Sequence, residues 1–98
     1  MLIDQNIEQL KILCNTYHVE KMYLFGSSLT SNFTEKSDID FLVKFKPIDL
    51  YKYFENYIGL KEKLQTLLGR DVDLLEEQTL RNPILIRSIH KSKKLIYG

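Results

Sequence analysis

The sequence lacks a second cysteine, so Cys14 has no disulfide partner within the chain, as a reducing compartment would lead one to expect. It also lacks an excess of charge of either sign. Fourteen lysines and arginines stand against thirteen aspartates and glutamates, a formal net charge of +1, which gives no overall pull toward nucleic acid or membrane. No apolar run approaches the roughly 20 residues of a membrane-spanning helix. The opening MLIDQNIEQLK carries early acids and no apolar core of signal-peptide type. Internal repeats, low-complexity tracts and linkers are missing too. These absences lead us to expect a soluble cytoplasmic protein with no membrane role, meeting nucleic acid only through a partner.

What is present suits one small folded unit. Ninety-eight residues fit a single domain over 1–98, and a chain of this size buries about 60–65% of the surface its unfolded form exposes. With 44% apolar and 28% charged residues, the composition is that of an ordinary globular protein and argues against disorder.

Hydrophobic spacing then divides the chain. Ile3, Ile7, Leu10, Cys14 and Tyr17 recur at intervals of three and four, predicting an amphipathic helix with Asp4 as N-cap. Residues 21–25 (KMYLF) read as a short strand stopped at Gly26-Ser27, and residues 27–37 are polar and turn-rich, with one helical turn at the start. Residues 38–45 alternate, with Ile39, Phe41, Val43 and Phe45 on one face and Asp38, Asp40, Leu42 and Lys44 on the other. After Pro47, Asp49 caps a helix reaching Leu68. Its stripe is expected to be Leu50, Tyr53, Phe54, Tyr57, Ile58, Leu64, Leu67 and Leu68, and Gly69 stops it. Residues 71–76 (DVDLLE) form a third strand. Asn82-Pro83 opens a helix to about Lys91, and residues 94–97 (KLIY) add a short edge strand. The predicted fold class is α/β (α+β), a mixed sheet flanked by helices. The long helix acts as a right-handed crossover between parallel strands.

The informative stretch is LFGSSLTSNFTEKSDIDFLV, residues 24–43. Residues i and i+2 of a strand share a side, so Asp38 and Asp40 set two carboxylates next to each other. Two close like charges repel unless a cation lies between them, and hard oxygen ligands of this kind suit Mg²⁺. Gly26 in the Gly26-Ser27 pair permits close backbone approach, and N–H groups at the start of the following helical turn make an anion site on which a triphosphate can rest, with Ser28 either a further donor or a plain turn residue. The third strand, parallel to the second, brings Asp71 and Asp73 beside this pair. Three carboxylates allow two metal ions.

A Gly-Ser pair, ten intervening residues, Asp-x-Asp and a third acid on a later strand resemble the DNA polymerase β-like nucleotidyltransferase superfamily. The length and element order are similar to its minimal nucleotidyltransferase branch across essentially the whole chain. The resemblance implies the polymerase β-like fold, Gly26 and Ser27 (with Ser28) as nucleotide-binding residues, and Asp38, Asp40 and Asp73 as catalytic metal ligands. It also implies two Mg²⁺ ions with ATP as substrate, and AMP transfer to a hydroxyl on a helical HEPN-type toxin whose antitoxin this chain would be. One departure stands out: Ser28-Leu29-Thr30 occupies the place where the family often carries arginine. Two rival readings remain, a binding module that neutralises a toxin by occupation and an enzyme modifying a small molecule. Outside the motif, the sequence assigns Tyr53 and Tyr57 to the core and treats Arg87, His90, Lys91, Lys93 and Lys94 as a solvated basic tail.

Overall fold

The alternation over residues 38–45 becomes one of the two inner strands of a four-stranded sheet. The structure, a computed structural model, describes residues 2–26 and 38–98. Two helical pieces, α1 (Leu2–Gln5) and α2 (Ile7–Thr16), lead into β1 (Val19–Phe25). There follow β2 (Ile39–Phe45), α3 (Leu50–Leu68), β3 (Val72–Glu76), a 3₁₀ turn (Glu77–Thr79), α4 (Pro83–Ser92) and β4 (Lys94–Tyr97). The strand order is β3-β2-β1-β4. β1 runs antiparallel to both β2 and β4, whereas β2 and β3, joined through α3, are parallel. The expected mixed, helix-flanked sheet is what forms. Among the described residues no helix is long and apolar enough to cross a membrane.

The two faces of β2 carry different loads. Ile39, Phe41, Val43 and Phe45 join Met22, Leu24, Val72 and Leu74 on one face, which packs against Leu10 and Cys14 of α2 and Leu60, Leu64 and Leu68 of α3. On the other face Leu42 and Phe25 meet Ile89 of α4, with Tyr23, Leu75 and Leu80 around them. The first face holds most of the buried apolar surface and hence most of the hydrophobic stabilisation. The second is lightly covered.

Local sequence explains where the elements stop. Gly69 adopts φ +65° and donates its N–H to Gln65 O at 2.8 Å, closing α3. Asn82 Oδ1 accepts from the Ile84 and Leu85 amides at 2.9 and 3.4 Å, with Pro83 at the first helical position of α4. β1 begins two residues earlier than its apolar pattern suggests. His18, at φ +59°, turns the chain out of α2, and its carbonyl accepts from the Lys46 amide at 2.8 Å, so Val19 pairs with Phe45.

Two expectations are corrected. Asp4 lies inside α1 and is not the N-cap of a continuous helix. The helix breaks at Asn6, whose amide donates to Ile3 O at 3.1 Å while its carbonyl accepts from Leu10 N at 2.9 Å. Asn readily leaves a helical run for such a tight turn, and here Ile3 stays buried. The stripe of α3 is also narrower than expected. Leu50 and Phe54 are 88% and 70% exposed, and Leu60, absent from the predicted stripe, is fully buried. Tyr53, Tyr57, Leu60, Leu64 and Leu68 follow one line of three- and four-residue spacings along the helix, and Phe54 falls beside it. Cys14 is buried, its thiol donating toward Met22 Sδ at 3.7 Å, and burial pushes its pKa up to about 12. This suppresses the reactive thiolate.

The corrected stripe separates two leucines of the same helix. Leu60→Ala should destabilise the protein by about 2–5 kcal/mol, whereas Leu50→Ala should stay within about 0.5 kcal/mol. Urea unfolding of both variants measures the difference, and comparable losses would refute this packing.

Candidate active site

The acids of the central strands come together because two strands begin at the same end of the sheet. Parallel pairing sets Ile39 against Val72 and Asp40 against Asp73, with the Ile39 amide donating to Asp71 O at 3.1 Å. Phe25, the last residue of β1, lies across from Asp40 on the other side. Phe25, Asp40 and Asp73 thus form a row over three strands. One step further along the same face, Tyr23, Leu42 and Leu75 form an apolar row behind them. Asp38 and Asp71 stand two residues ahead of Asp40 and Asp73, just outside the strands. Asp40 is half-buried, and Asp38, Asp71 and Asp73 are exposed.

Gly26 closes the site from the β1 side at φ +69°. A Cβ on this residue would run into Asp40 Oδ2, with Asp40 Cγ at 3.1 Å and its Cβ at 3.4 Å. The expected task of Gly26 is to let a ligand approach the backbone. The group lying closest over its Cα is the Asp40 carboxylate itself. Gly26, Asp38, Asp40 and Asp73 are therefore gathered at one end of the sheet. Ser27 and Ser28 fall outside the described residues.

The donor set is made of hard carboxylate oxygens on adjacent strands, which suits an ion such as Mg²⁺. Among the described residues no three acidic, imidazole or thiol side chains are drawn into a ready-made metal cluster. What lies there is the registered pair Asp40 and Asp73, with Asp38 one step ahead. The residues fit such an ion in chemistry and in face.

Two side chains outside the motif contribute here. Tyr57, packed against the main core as expected, also donates its hydroxyl to Leu74 O, one residue beyond Asp73. Burial, and then the Asp73 charge, hold its pKa above the usual tyrosine value. Lys93, counted in a solvated tail, is half-buried with its ammonium 4.1 Å from the centre of the Tyr23 ring. A tyrosine on an apolar stripe carries no sequence signal for which backbone group its hydroxyl will reach.

Comparison with solved structures gives the class. The chain shares its fold with a provisionally assigned minimal nucleotidyltransferase at TM-score 0.78, 27% identity, and coverage of 94% of this chain and 90% of that one. It also resembles a chain from a toxin–antitoxin crystal structure containing AMP-PNP, with TM-score 0.71, 26% identity, and coverage of 95% and 73%. The family follows from the sequence: the nucleotidyltransferase domain family matches residues 7–96, and this chain belongs to it. It is a nucleotidyltransferase. A relative from Methanocaldococcus jannaschii, provisionally named a protein adenylyltransferase, is 40% identical over 87 residues, 89% of this chain and 84% of that protein.

Gly26 and Gly69 share almost the same left-handed φ, but nothing lies within 4 Å of a Cβ placed on Gly69. Alanine at either position should cost about 1–2 kcal/mol from backbone strain. Gly26→Ala should cost a further ~1–3 kcal/mol from overpacking against Asp40. Equal unfolding free energies for the two variants would show that Asp40 does not occupy the space above Gly26.

Proposed function

We propose that this chain transfers AMP from ATP to a hydroxyl of a partner protein, a helical HEPN-type toxin, and thereby acts as that toxin's antitoxin. The observation that carries the reading is the pairing of Asp40 with Asp73 beside Gly26. It is supported by the name of the Methanocaldococcus relative and by the AMP-PNP-containing toxin–antitoxin neighbour.

In this reading Asp38, Asp40 and Asp73 hold two Mg²⁺ ions. When bound, these supply positive charge to the phosphate oxygens and acidify the attacking hydroxyl. Gly26 and Ser27, with Ser28 next in the chain, receive the triphosphate through backbone N–H groups. The acceptor oxygen forms a bond to the α-phosphorus as the bond from that phosphorus to the bridging oxygen breaks, and pyrophosphate leaves. The hydroxyl proton passes to a carboxylate oxygen of Asp73 or Asp40, which share a row and so flank the attacking group. Alignment of acceptor and phosphorus is worth several kcal/mol of barrier. The docked partner supplies it by presenting its hydroxyl to this row. The apolar row of Tyr23, Leu42 and Leu75 backs the carboxylates on the strand side and limits water there.

The test is the intact mass of the partner after incubation with this protein, Mg²⁺ and ATP. Whole AMP units should appear on it, and Asp40→Asn should reduce their rate of appearance on the order of 10²–10⁴-fold. Without metal, the same variant should melt at or slightly above the wild-type temperature, because it relieves carboxylate repulsion. It should also lose the stabilisation that Mg²⁺ with ATP gives the wild type. A tight complex whose partner keeps its mass would instead establish neutralisation by occupation. Equal transfer in excess EDTA would overturn the role of the carboxylates.

A further inference from the structure

β3 is an edge strand, and among the described residues no strand pairs with its outer side. In a parallel pair, successive residues direct their backbone groups alternately toward and away from the neighbouring strand. Asp71 O is taken by the Ile39 amide of β2, so Asp73 also faces β2 while Val72 and Leu74 aim their N–H and C=O groups outward. An edge of this kind frays readily and is open to stray pairing. Here two of these four outward groups, the Val72 N–H and the Leu74 C=O, are engaged by α3. Gln65 Oε1 accepts from the Val72 amide at 3.2 Å, and the Tyr57 hydroxyl donates to Leu74 O.

We propose that Tyr57 and Gln65 are positioning residues that clamp β3 on both sides of Asp73 and so hold this carboxylate in register with Asp40, an inference that rests on Asp73 belonging to the metal-binding row. The geometry is self-consistent. Tyr57 lies early in α3 and reaches late into β3, whereas Gln65 lies late and reaches early, as an antiparallel helix over a parallel crossover requires. Eight residues separate the two along the helix, roughly 12 Å, so their side chains converge from either side on the short Val72–Leu74 segment. The Val72 and Leu74 side chains are buried in the main core, which blocks rotation of the strand about its own axis. The clamp blocks sliding and fraying at the edge. With both motions suppressed, Asp73 remains beside Asp40 even though its own side chain is exposed. Tyr57 also lies close enough to Asp73 to feel its charge.

The decisive experiment measures Mn²⁺ binding to the full chain by calorimetry with a non-hydrolysable ATP analogue present, well below the melting temperature. Tyr57→Phe keeps the ring and removes the hydroxyl, and Gln65→Met keeps the length and removes the acceptor. Each should weaken Mn²⁺ binding by about tenfold, the range seen when groups that orient metal ligands are removed. In an Asp73→Asn background, the same two substitutions should leave the residual Mn²⁺ affinity unchanged, an outcome that general loosening of the fold would not produce. Wild-type affinity in both single variants would overturn the clamp while leaving the transferase reading intact, as would a loss that persists in the Asp73→Asn background. Failure of the wild type itself to bind Mn²⁺ with the nucleotide would bring down the transferase reading and the clamp with it. If Tyr57→Phe does not fold, Gln65→Met carries the test alone.

Discussion

The register between β2 and β3 is the constraint on which the rest of this molecule depends. Side chains alternate along a strand, so a slip of one residue would turn Asp73 into the core and push Val72 and Leu74 out toward α4. The native register is held by burial of those two residues against the same helices that cover Ile39, Phe41 and Val43. The polar face inherits its order from the apolar face. Asp40 and Asp73 are neighbours because Phe41 and Leu74 are.

This arrangement carries local costs at the site. Like charges lie on adjacent strands, and Gly26 is in a left-handed conformation with the Asp40 carboxylate in the space a side chain would need. Such features persist only where the surroundings over-determine them. Here the surroundings are the main core on one face and the hydrogen bonds from α3 to the edge of β3. The second face contributes differently. Its small cluster of Phe25, Leu42 and Ile89 secures α4, and on the same face Asp40 is half-buried and Asp73 exposed. A row of side chains on paired strands is held in a fixed geometry.

The family match and the fold comparisons agree with the residue-level reading in what they cover. They define a nucleotidyltransferase with the minimal fold. The place where the family often carries arginine holds Ser28. At the end of α4, Lys93 lies over the Tyr23 ring, two strand positions from Phe25.

Much of this was legible in the residues alone, for physical reasons that differ from element to element. Gly69, Asn82 and Pro83 mark helix ends by backbone chemistry that acts within a few residues, so they were readable without the fold. The alternation over residues 38–45 showed both faces of β2, and the parallel crossover brought the third strand alongside, because these follow from strand periodicity and chain handedness. The break at Asn6 was not legible, since the three- and four-residue spacing of Ile3, Ile7 and Leu10 continues across it. Nor was the exposure of Leu50 and Phe54, because periodicity gives the direction of a stripe but not how wide a strip of the helix the sheet will cover. The choice between Asp71 and Asp73 as partner of Asp40, the carboxylate above Gly26, and the reach of Tyr57 and Gln65 to the edge of β3 were decided only by tertiary structure. Each depends on contact between segments distant in the chain, and local sequence patterns report the conformation of a segment without saying what it will meet.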